Sequence, residues 1–175
     1  ENLTGTDWGE EGLGAVYTLT NPETFEMVHV KAVSPNREQP VLPSACALWD
    51  IANFYEREVY DFYGVIFVNH PDLRRIFLRE DWVGFPFRKD DKPEEKNEEI
   101  AVGDEPISDL APCYTLNADG SLHCEKTPIF GEDDYVINLG PQHPSPPRVL
   151  HFRTRIAREI ITKIDPHLGY IHRAI

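Results

Sequence analysis

The sequence has no long hydrophobic run. No stretch of its 175 residues approaches the roughly 18 consecutive apolar residues that a membrane-spanning helix requires. Hydrophobic residues still make up 41% of the chain, which is enough for the core of one ordinary domain or two small ones. The composition therefore predicts a soluble, globular chain.

Basic residues are scarce. The chain has 17 Lys and Arg residues against 30 Asp and Glu residues, and its formal net charge is −13. A surface of this sign repels phosphate backbones. We therefore expect no nucleic-acid partner.

The sequence also lacks a leader and has few cysteines. The first residues carry no initiator Met, no basic segment and no apolar segment, so we expect them to belong to the interior of a longer protein. The three cysteines are an odd number in a chain of this size, which favours a reducing compartment over a disulfide scaffold. The sequence therefore predicts a cytoplasmic location.

Motifs for cofactors are missing as well. The sequence contains no Gly-x-Gly-x-x-Gly and no Gly-Lys-Ser/Thr segment, and no Cys-x-x-Cys pair. We therefore expect nucleotides and iron–sulfur clusters to bind elsewhere. Cys113, His123 and Cys124 leave three interpretations open: part of a zinc site, a disulfide, or plain thiols.

In the first third of the chain, apolar and polar residues alternate as they do in a β-hairpin. Residues 14–20 and 27–33 have a period of two, and Asn21 and Pro22 between them favour a turn. In the second strand Val28, Val30 and Ala32 share one face, which we expect to be buried.

A helix is predicted from about residue 45 to 63, with Ser44 as its N-cap and Gly64 just past its end. Apolar residues including Leu48 and Ile51 recur at helical spacing along one stripe. Arg57 and Asp61 lie off that stripe and four residues apart, so we expect them to form an exposed ion pair.

The composition changes twice after residue 91. Nine acidic residues against two lysines lie between Asp90 and Asp109, which is typical of a linker, and residues 117–120 form the turn of a small hairpin candidate. From Arg148 onward basic residues prevail, and residues 150–164 alternate like a second hairpin. We predict an α+β fold with an antiparallel sheet and a packed amphipathic helix in residues 1–91, an acidic linker with a small hairpin in 92–134, and the β-hairpin of a truncated domain in 135–175.

Two segments carry a family resemblance. The run EREVYDFYGVIFVNHPDLRRIFLREDWVGFPFRKDD at 56–91, with TGTDW at 4–8, closely resembles the C-type subunit of respiratory complex I, the NADH:quinone oxidoreductase. NLGPQHP at 138–144 and DPHLGYIHR at 165–173 resemble the opening of the D-type subunit. The order of the two matches is similar to the fused C/D subunits of some bacteria.

The D-like part departs from the family pattern. The D-type subunit typically has His and Gly after Gly-Pro-Gln-His-Pro, where this chain has Pro147 and Arg148, and Gly after His-Arg, where it has Ala174. A proline ring can neither hydrogen-bond to a quinone carbonyl nor supply a proton. The resemblance leaves His143 as the one weak quinone-loop candidate in this chain.

The resemblance implies a non-catalytic assembly part of the hydrophilic arm, at the cytoplasmic side of the bacterial inner membrane. Its partners would be other hydrophilic-arm subunits, chiefly the rest of D and the cluster-bearing subunit beside it. NADH, FMN, iron–sulfur clusters and quinone would bind in those subunits or in the whole complex, with no metal and no catalytic residue in this chain. The candidate interface residues are Glu56, Arg57, Glu58, Asp61, His70, Asp72, Arg74, Arg75, Trp82 and Arg88.

Other interpretations of the same residues compete with this one. The acidic residues at 56, 58 and 61 could act as acid–base pairs, and His70-Pro71-Asp72 matches the tripeptide of J-domain co-chaperones, which lies between two helices. His143, His167 and His172 could relay protons. The whole chain could also be a free-standing interaction module, a truncated or divergent copy without respiratory activity.

Overall fold

A computed structural model describes residues 2–92, 108–140 and 150–168. These residues contain ten strands and one α-helix. The fold is therefore mostly β, and an α+β description is compatible with it. The acidic linker and the residues around His143, Pro147, Arg148 and His172 lie outside the described residues.

The first sheet has the order β1-β2-β3 and is antiparallel throughout. Its strands are Asn2–Asp7 (β1), Leu13–Thr20 (β2) and Met27–Ser34 (β3). The predicted hairpin of β2 and β3 is confirmed, and the Asn21 side chain accepts a hydrogen bond from the backbone N–H of Glu23 at 2.9 Å within its turn. The sequence did not indicate β1 as a third strand.

The prediction of a buried face on β3 is wrong for most of its length. Val28 is 57% exposed and Val30 is 46% exposed, whereas Ala32 packs against the core. The helix packs on β1 and β2, so β3 is buried only near Ala32, the residue that pairs with Ala15.

The single helix, α1, spans Ala52–Tyr63 and begins seven residues later than predicted. Its N-cap position is Ile51, without a side-chain cap, and residues 45–51 form turns such as the Leu48 N–H to Ala45 carbonyl bond of 2.8 Å. Ser44 is not the cap because its hydroxyl donates to Glu56 instead, at 2.7 Å. The C-terminal prediction is confirmed: Gly64 is left-handed, with φ of 70°, and its N–H donates to the Tyr60 carbonyl.

The faces of α1 also differ from the prediction. Ala52 and Val59 of the expected apolar stripe are buried, but Glu56, Arg57 and Asp61 are buried as well. Leu48 and Ile51 of the same stripe precede α1 and are exposed. Arg57 and Asp61 do not pair with each other as expected; each bonds to the chain that follows the helix. The buried face of α1 is therefore partly ionic.

The main core lies between the first sheet, α1 and a two-stranded parallel sheet. That sheet joins Val41–Pro43 (β4) to Ile66–Val68 (β5). The short apolar segment at 65–68 thus contains a buried strand, and residues 73–78 form neither a helix nor a strand. The core residues are Leu3, Leu13, Ala15, Leu42, Val59, Val65, Phe67 and Leu73.

Both later hairpins are confirmed. The small one consists of Leu110–Leu116 (β6) and Leu122–Pro128 (β7), and it is attached to the first part of the chain by backbone bonds from Asn69 N–H to the Tyr114 carbonyl and from Leu73 N–H to the Pro112 carbonyl. The last sheet has the order β10-β9-β8 and comprises Val136–Leu139 (β8), Leu150–Ala157 (β9) and Ile160–Leu168 (β10). The predicted domain boundaries stay a prediction.

Candidate functional site

Charged residues concentrate where α1 meets the loop that follows β5. Of the predicted interface candidates, five are buried, four are half-buried and one is exposed. The buried ones are Glu56, Arg57, Asp61, His70 and Arg74; the half-buried ones are Asp72, Arg75, Trp82 and Arg88; the exposed one is Glu58. Whether they meet a neighbouring subunit stays a prediction.

Glu56 anchors the turns that precede α1. Its carboxylate accepts bonds from the Ser44 hydroxyl at 2.7 Å, the Ala45 backbone N–H at 2.6 Å and the Cys46 thiol at 3.6 Å. Burial raises the pKa of this carboxyl, and the donated hydrogen bonds oppose the shift. The group therefore serves to hold a backbone segment.

His70 is a neutral structural residue. One ring nitrogen, Nδ1, accepts the backbone N–H of Asp72 at 3.0 Å, so the proton lies on Nε2, which is 3.1 Å from the Asn53 carbonyl that it bonds to. Burial lowers the pKa of His70 to about 4. The histidine joins α1 to the loop without carrying charge at neutral pH.

Cys46, Glu56 and His70 form a cluster that the sequence does not reveal, since they are far apart in the chain. Ligand atoms of the three lie within 4.8 Å of one another. Both ring nitrogens of His70 are already used, and the carboxylate accepts three bonds, so no free lone pair on the ring points to a metal. The donor set does not fit a metal ion as it stands.

Asp61 organises the loop after β5. Its Oδ2 accepts three successive backbone N–H groups, those of Ile76, Phe77 and Leu78, at 3.1, 2.7 and 2.9 Å. Its Oδ1 pairs with the Arg75 guanidinium at 2.8 Å. These backbone N–H groups thus donate to a carboxylate, and not to the carbonyls of a helix or a sheet.

The arginines bind carbonyls as well as carboxylates. Arg57 donates from Nε and Nη2 to the carbonyls of Arg74 and Arg75, both at 3.1 Å. Arg88 donates to the carbonyls of Tyr63 and Arg37 at 2.6 and 3.0 Å. The alternative of acid–base chemistry at 56, 58 and 61 is not favoured, because two of these carboxylates accept hydrogen bonds from the backbone and the third is exposed.

Arg74 links distant parts of the chain. It donates to both carboxylate oxygens of Asp72 at 2.7 Å and to Asp165 of β10 at 2.7 Å. Arg153 of β9 donates to the other oxygen of Asp165 at 2.7 and 3.0 Å, and it also pairs with Asp109. Burial opposes ionisation of Asp165, but hydrogen bonds from His167, Arg74 and Arg153 outweigh it and lower the pKa of this carboxyl, so it is ionised at neutral pH.

The J-domain alternative fails on geometry. His70, Pro71 and Asp72 follow a strand, and no helix follows them among residues 73–92.

Trp82 is another of the predicted interface residues. Its indole Nε1 is buried and has no hydrogen-bond partner among the described residues.

The zinc and disulfide alternatives fail on strand register. Cys113 lies opposite Glu125 and Thr115 lies opposite His123, whereas Cys124 lies opposite Tyr114. Side chains alternate between the faces of a hairpin, so Cys124 points away from Cys113 and His123. Cys113 and Cys124 form no disulfide with each other, and Cys46 also has no disulfide partner within the chain.

Of the three histidines of the relay hypothesis, the structure describes His167. Its Nε2 lies 2.9 Å from Asp165, and its ring is 5.4 Å from that of His151, centroid to centroid. The relay hypothesis and the quinone-loop role of His143 stay predictions.

These observations define a class of mostly β protein. Its buried charged side chains bond the loop after β5 to α1 and to the hairpin of β9 and β10. The profile of the respiratory-chain NADH dehydrogenase 30 kDa subunit family matches residues 1–97, so the chain belongs to that family. The described part of the chain contains no helix long and apolar enough to cross a membrane.

The chain is similar to proteins named as fused subunits. It is 46% identical over 185 aligned positions to the NADH-quinone oxidoreductase C/D subunit of Bacteroides thetaiotaomicron, an alignment that covers 100% of this chain and 35% of that protein. The C/D subunit of Phocaeicola vulgatus is 51% identical over 174 positions, 99% of this chain and 33% of that protein. The separate C-type subunit of Chloroherpeton thalassium is 41% identical over 100 positions, 57% of this chain and 42% of that protein. The chain thus spans about a third of the length of these fused relatives.

Proposed function

We propose that this chain is a non-catalytic assembly part of the hydrophilic arm of an NADH:quinone oxidoreductase. The observation that carries the proposal is the continuous similarity to fused C/D subunits over the whole chain, with the family profile confined to residues 1–97. The electron transfer from NADH to quinone, and its coupling to ion translocation, are activities of the whole complex. We assign NADH, FMN, iron–sulfur clusters and quinone to partner subunits or to the whole complex, and none of them to this chain alone.

The geometry supports a structural role. The buried charged side chains of residues 53–76 are used to position backbone and neighbouring side chains. Apolar side chains meanwhile remain on the surface, as expected of a part that packs on neighbouring subunits. The exposed apolar side chains include Phe77, Phe87, Ile160, Ile161 and Ile164.

The partners in this proposal are the other hydrophilic-arm subunits, chiefly the rest of D and the cluster-bearing subunit beside it. The location is the cytoplasmic side of the bacterial inner membrane, with attachment through those subunits. The net charge of −13 supports protein partners over direct contact with anionic lipid.

Affinity purification with a tag on this chain tests the proposal. Mass spectrometry of material from the producing cells should recover the other hydrophilic-arm subunits in stoichiometric amounts. A charge at an exposed apolar position, Ile161→Glu, should lower that recovery, and Glu23→Gln in the exposed β2–β3 turn should leave it unchanged. Recovery of the chain alone as a folded monomer would contradict the proposal and favour a free-standing module.

A further inference from the structure

We propose that Arg74 and the charges around it form a cationic socket in the family domain, and that this socket docks hairpin β9–β10 through Asp165. The inference deepens the proposed function, on which it rests only for the naming of the two parts as C-like and D-like. The socket consists of Arg57, Asp61, Asp72, Arg74 and Arg75.

The socket contains more positive than negative charge among its own residues. It contains three guanidinium groups but only two carboxylates, and its side chains are buried or half-buried. A buried cation is stabilised by each carboxylate that folding brings to it. Asp165 of the hairpin, itself almost fully buried, is a further carboxylate for Arg74, and Arg153 is the second cationic partner of Asp165.

Arg57 contributes to this positive charge. Its guanidinium donates to two backbone carbonyls and to no carboxylate among its described bonds, so its charge is compensated only at longer range. Arg74 is oriented toward the hairpin by Asp72, because Nε and Nη2 both reach that carboxylate. Its Nη2 also meets Asp165 at 2.7 Å, across 91 positions of sequence.

The hairpin offers its carboxylate in a fixed orientation. Arg153 donates twice to Oδ2 of Asp165, which leaves Oδ1 for Arg74. The carbonyl of Ser108 accepts from both guanidinium groups, at 3.3 Å from Arg74 and 3.1 Å from Arg153. Two guanidinium groups thus meet at one carboxylate and one carbonyl, and such geometry specifies a position more than it adds stability.

Apolar packing beside the ion pair is incomplete. A cleft of about 290 Å³ lies there, with Pro71 and Asp72 on the side of the loop and Ile164 and Pro166 on the side of the hairpin. The hairpin therefore does not lie flush on the loop, and the charged contact determines how it is oriented.

Hydrogen exchange with mass spectrometry on the full chain tests the socket. In Arg74→Gln and in Asp165→Asn, amides of residues 151–167 should exchange at least about tenfold faster, since each change removes the ion pair that joins the loop to the hairpin. Amides of β1 and β2 should keep their wild-type rates. Arg79→Gln is the matched control because its pair with Asp81 is exposed, and it should change rates less than about twofold.

Retained protection of residues 151–167 in both variants would overturn the proposal. If Arg74→Gln unfolds the whole chain, Asp165→Asn decides, because it leaves the family domain unaltered. A chain cut at a protease site introduced within residues 98–104 gives a second measurement: its two pieces should co-elute, and Asp165→Asn should weaken their association at least about tenfold. These results need no other subunit, so they are separable from the outcome of the affinity purification.

Discussion

Arg75 holds Asp61 by two bonds from one nitrogen. Nη1 donates to the Asp61 carboxylate at 2.8 Å and to the Asp61 backbone carbonyl at 2.9 Å. The same guanidinium reaches the carbonyls of Trp82 and Gly84 through Nη2, at 3.3 and 3.0 Å. The Arg75 side chain thus joins Asp61, near the end of α1, to the loop at residues 82–84.

Asp61→Ala should strongly destabilise the chain. The change removes the acceptor of three buried backbone N–H groups and leaves Arg75 without its carboxylate. We expect a loss of about 3–5 kcal/mol in the free energy of unfolding, measured with urea. Glu58→Ala, one turn earlier and exposed, should cost less than about 0.5 kcal/mol. An equal loss in the free energy of unfolding for both changes would show that the hydrogen bonds of Asp61 are not the cause of the destabilisation.

His70 should make the chain sensitive to mild acid. Its folded pKa of about 4 lies below the ordinary value of 6.5, so the unfolded chain binds a proton first as the pH falls. Its contribution is fully present above about pH 6.5 and is lost progressively down to about pH 4, by roughly 3 kcal/mol in total.

The measurement is the free energy of unfolding between pH 7 and 4.5 for the wild type and for His70→Asn. Asparagine keeps a short polar group at this position but does not titrate, so the difference between the two curves isolates the histidine from the carboxylates. Parallel curves would refute the assignment of a buried neutral imidazole.

Gly5→Ala should loosen the contact between β1 and α1. A Cβ at this position would lie 2.5 Å from two ring carbons of Tyr63 and 3.1 Å from a methyl of Val59. We expect a cost of about 1–3 kcal/mol by thermal or urea unfolding, and partial recovery when Tyr63→Leu is added. Thr4→Ala, at an exposed neighbouring position, is the control and should be nearly neutral.

The turn between β9 and β10 should be improved by glycine. Arg158 and Glu159 have φ of 49° and 67°, a left-handed backbone that disfavours residues with a Cβ. Glu159→Gly should raise the free energy of unfolding of this hairpin by about 1 kcal/mol, measurable as slower hydrogen exchange of β9 and β10. Glu159→Ala keeps the Cβ and should give no such gain.

Local chemistry was readable from the sequence. Gly64 ends α1 as expected because glycine accepts a left-handed backbone, and both later hairpins appear because alternation and turn residues act over a few positions. The start of α1 was misplaced because Glu56 captures Ser44 and Ala45, a contact across 11 to 12 positions that no local pattern shows.

The charge pairs show the same limit. Arg57 and Asp61 have the spacing of a helical ion pair, but Asp61 is taken by Arg75 and by three backbone N–H groups from the distant loop. Burial decides this competition, since a buried carboxylate needs every donor that can reach it. The candidate residues could be listed from the sequence, but their partners could not.

The sequence alone determined the family resemblance, the order of its two parts, the hairpins and the end of the helix, since these depend on residue types at short spacing. Tertiary structure alone decided which charges are buried, that Cys113 and Cys124 face apart, and that Arg74 meets Asp165 across 91 positions. The physical reason is that hydrogen-bond and charge compensation in a low-dielectric interior depends on which groups folding brings together, and sequence spacing does not encode that distance.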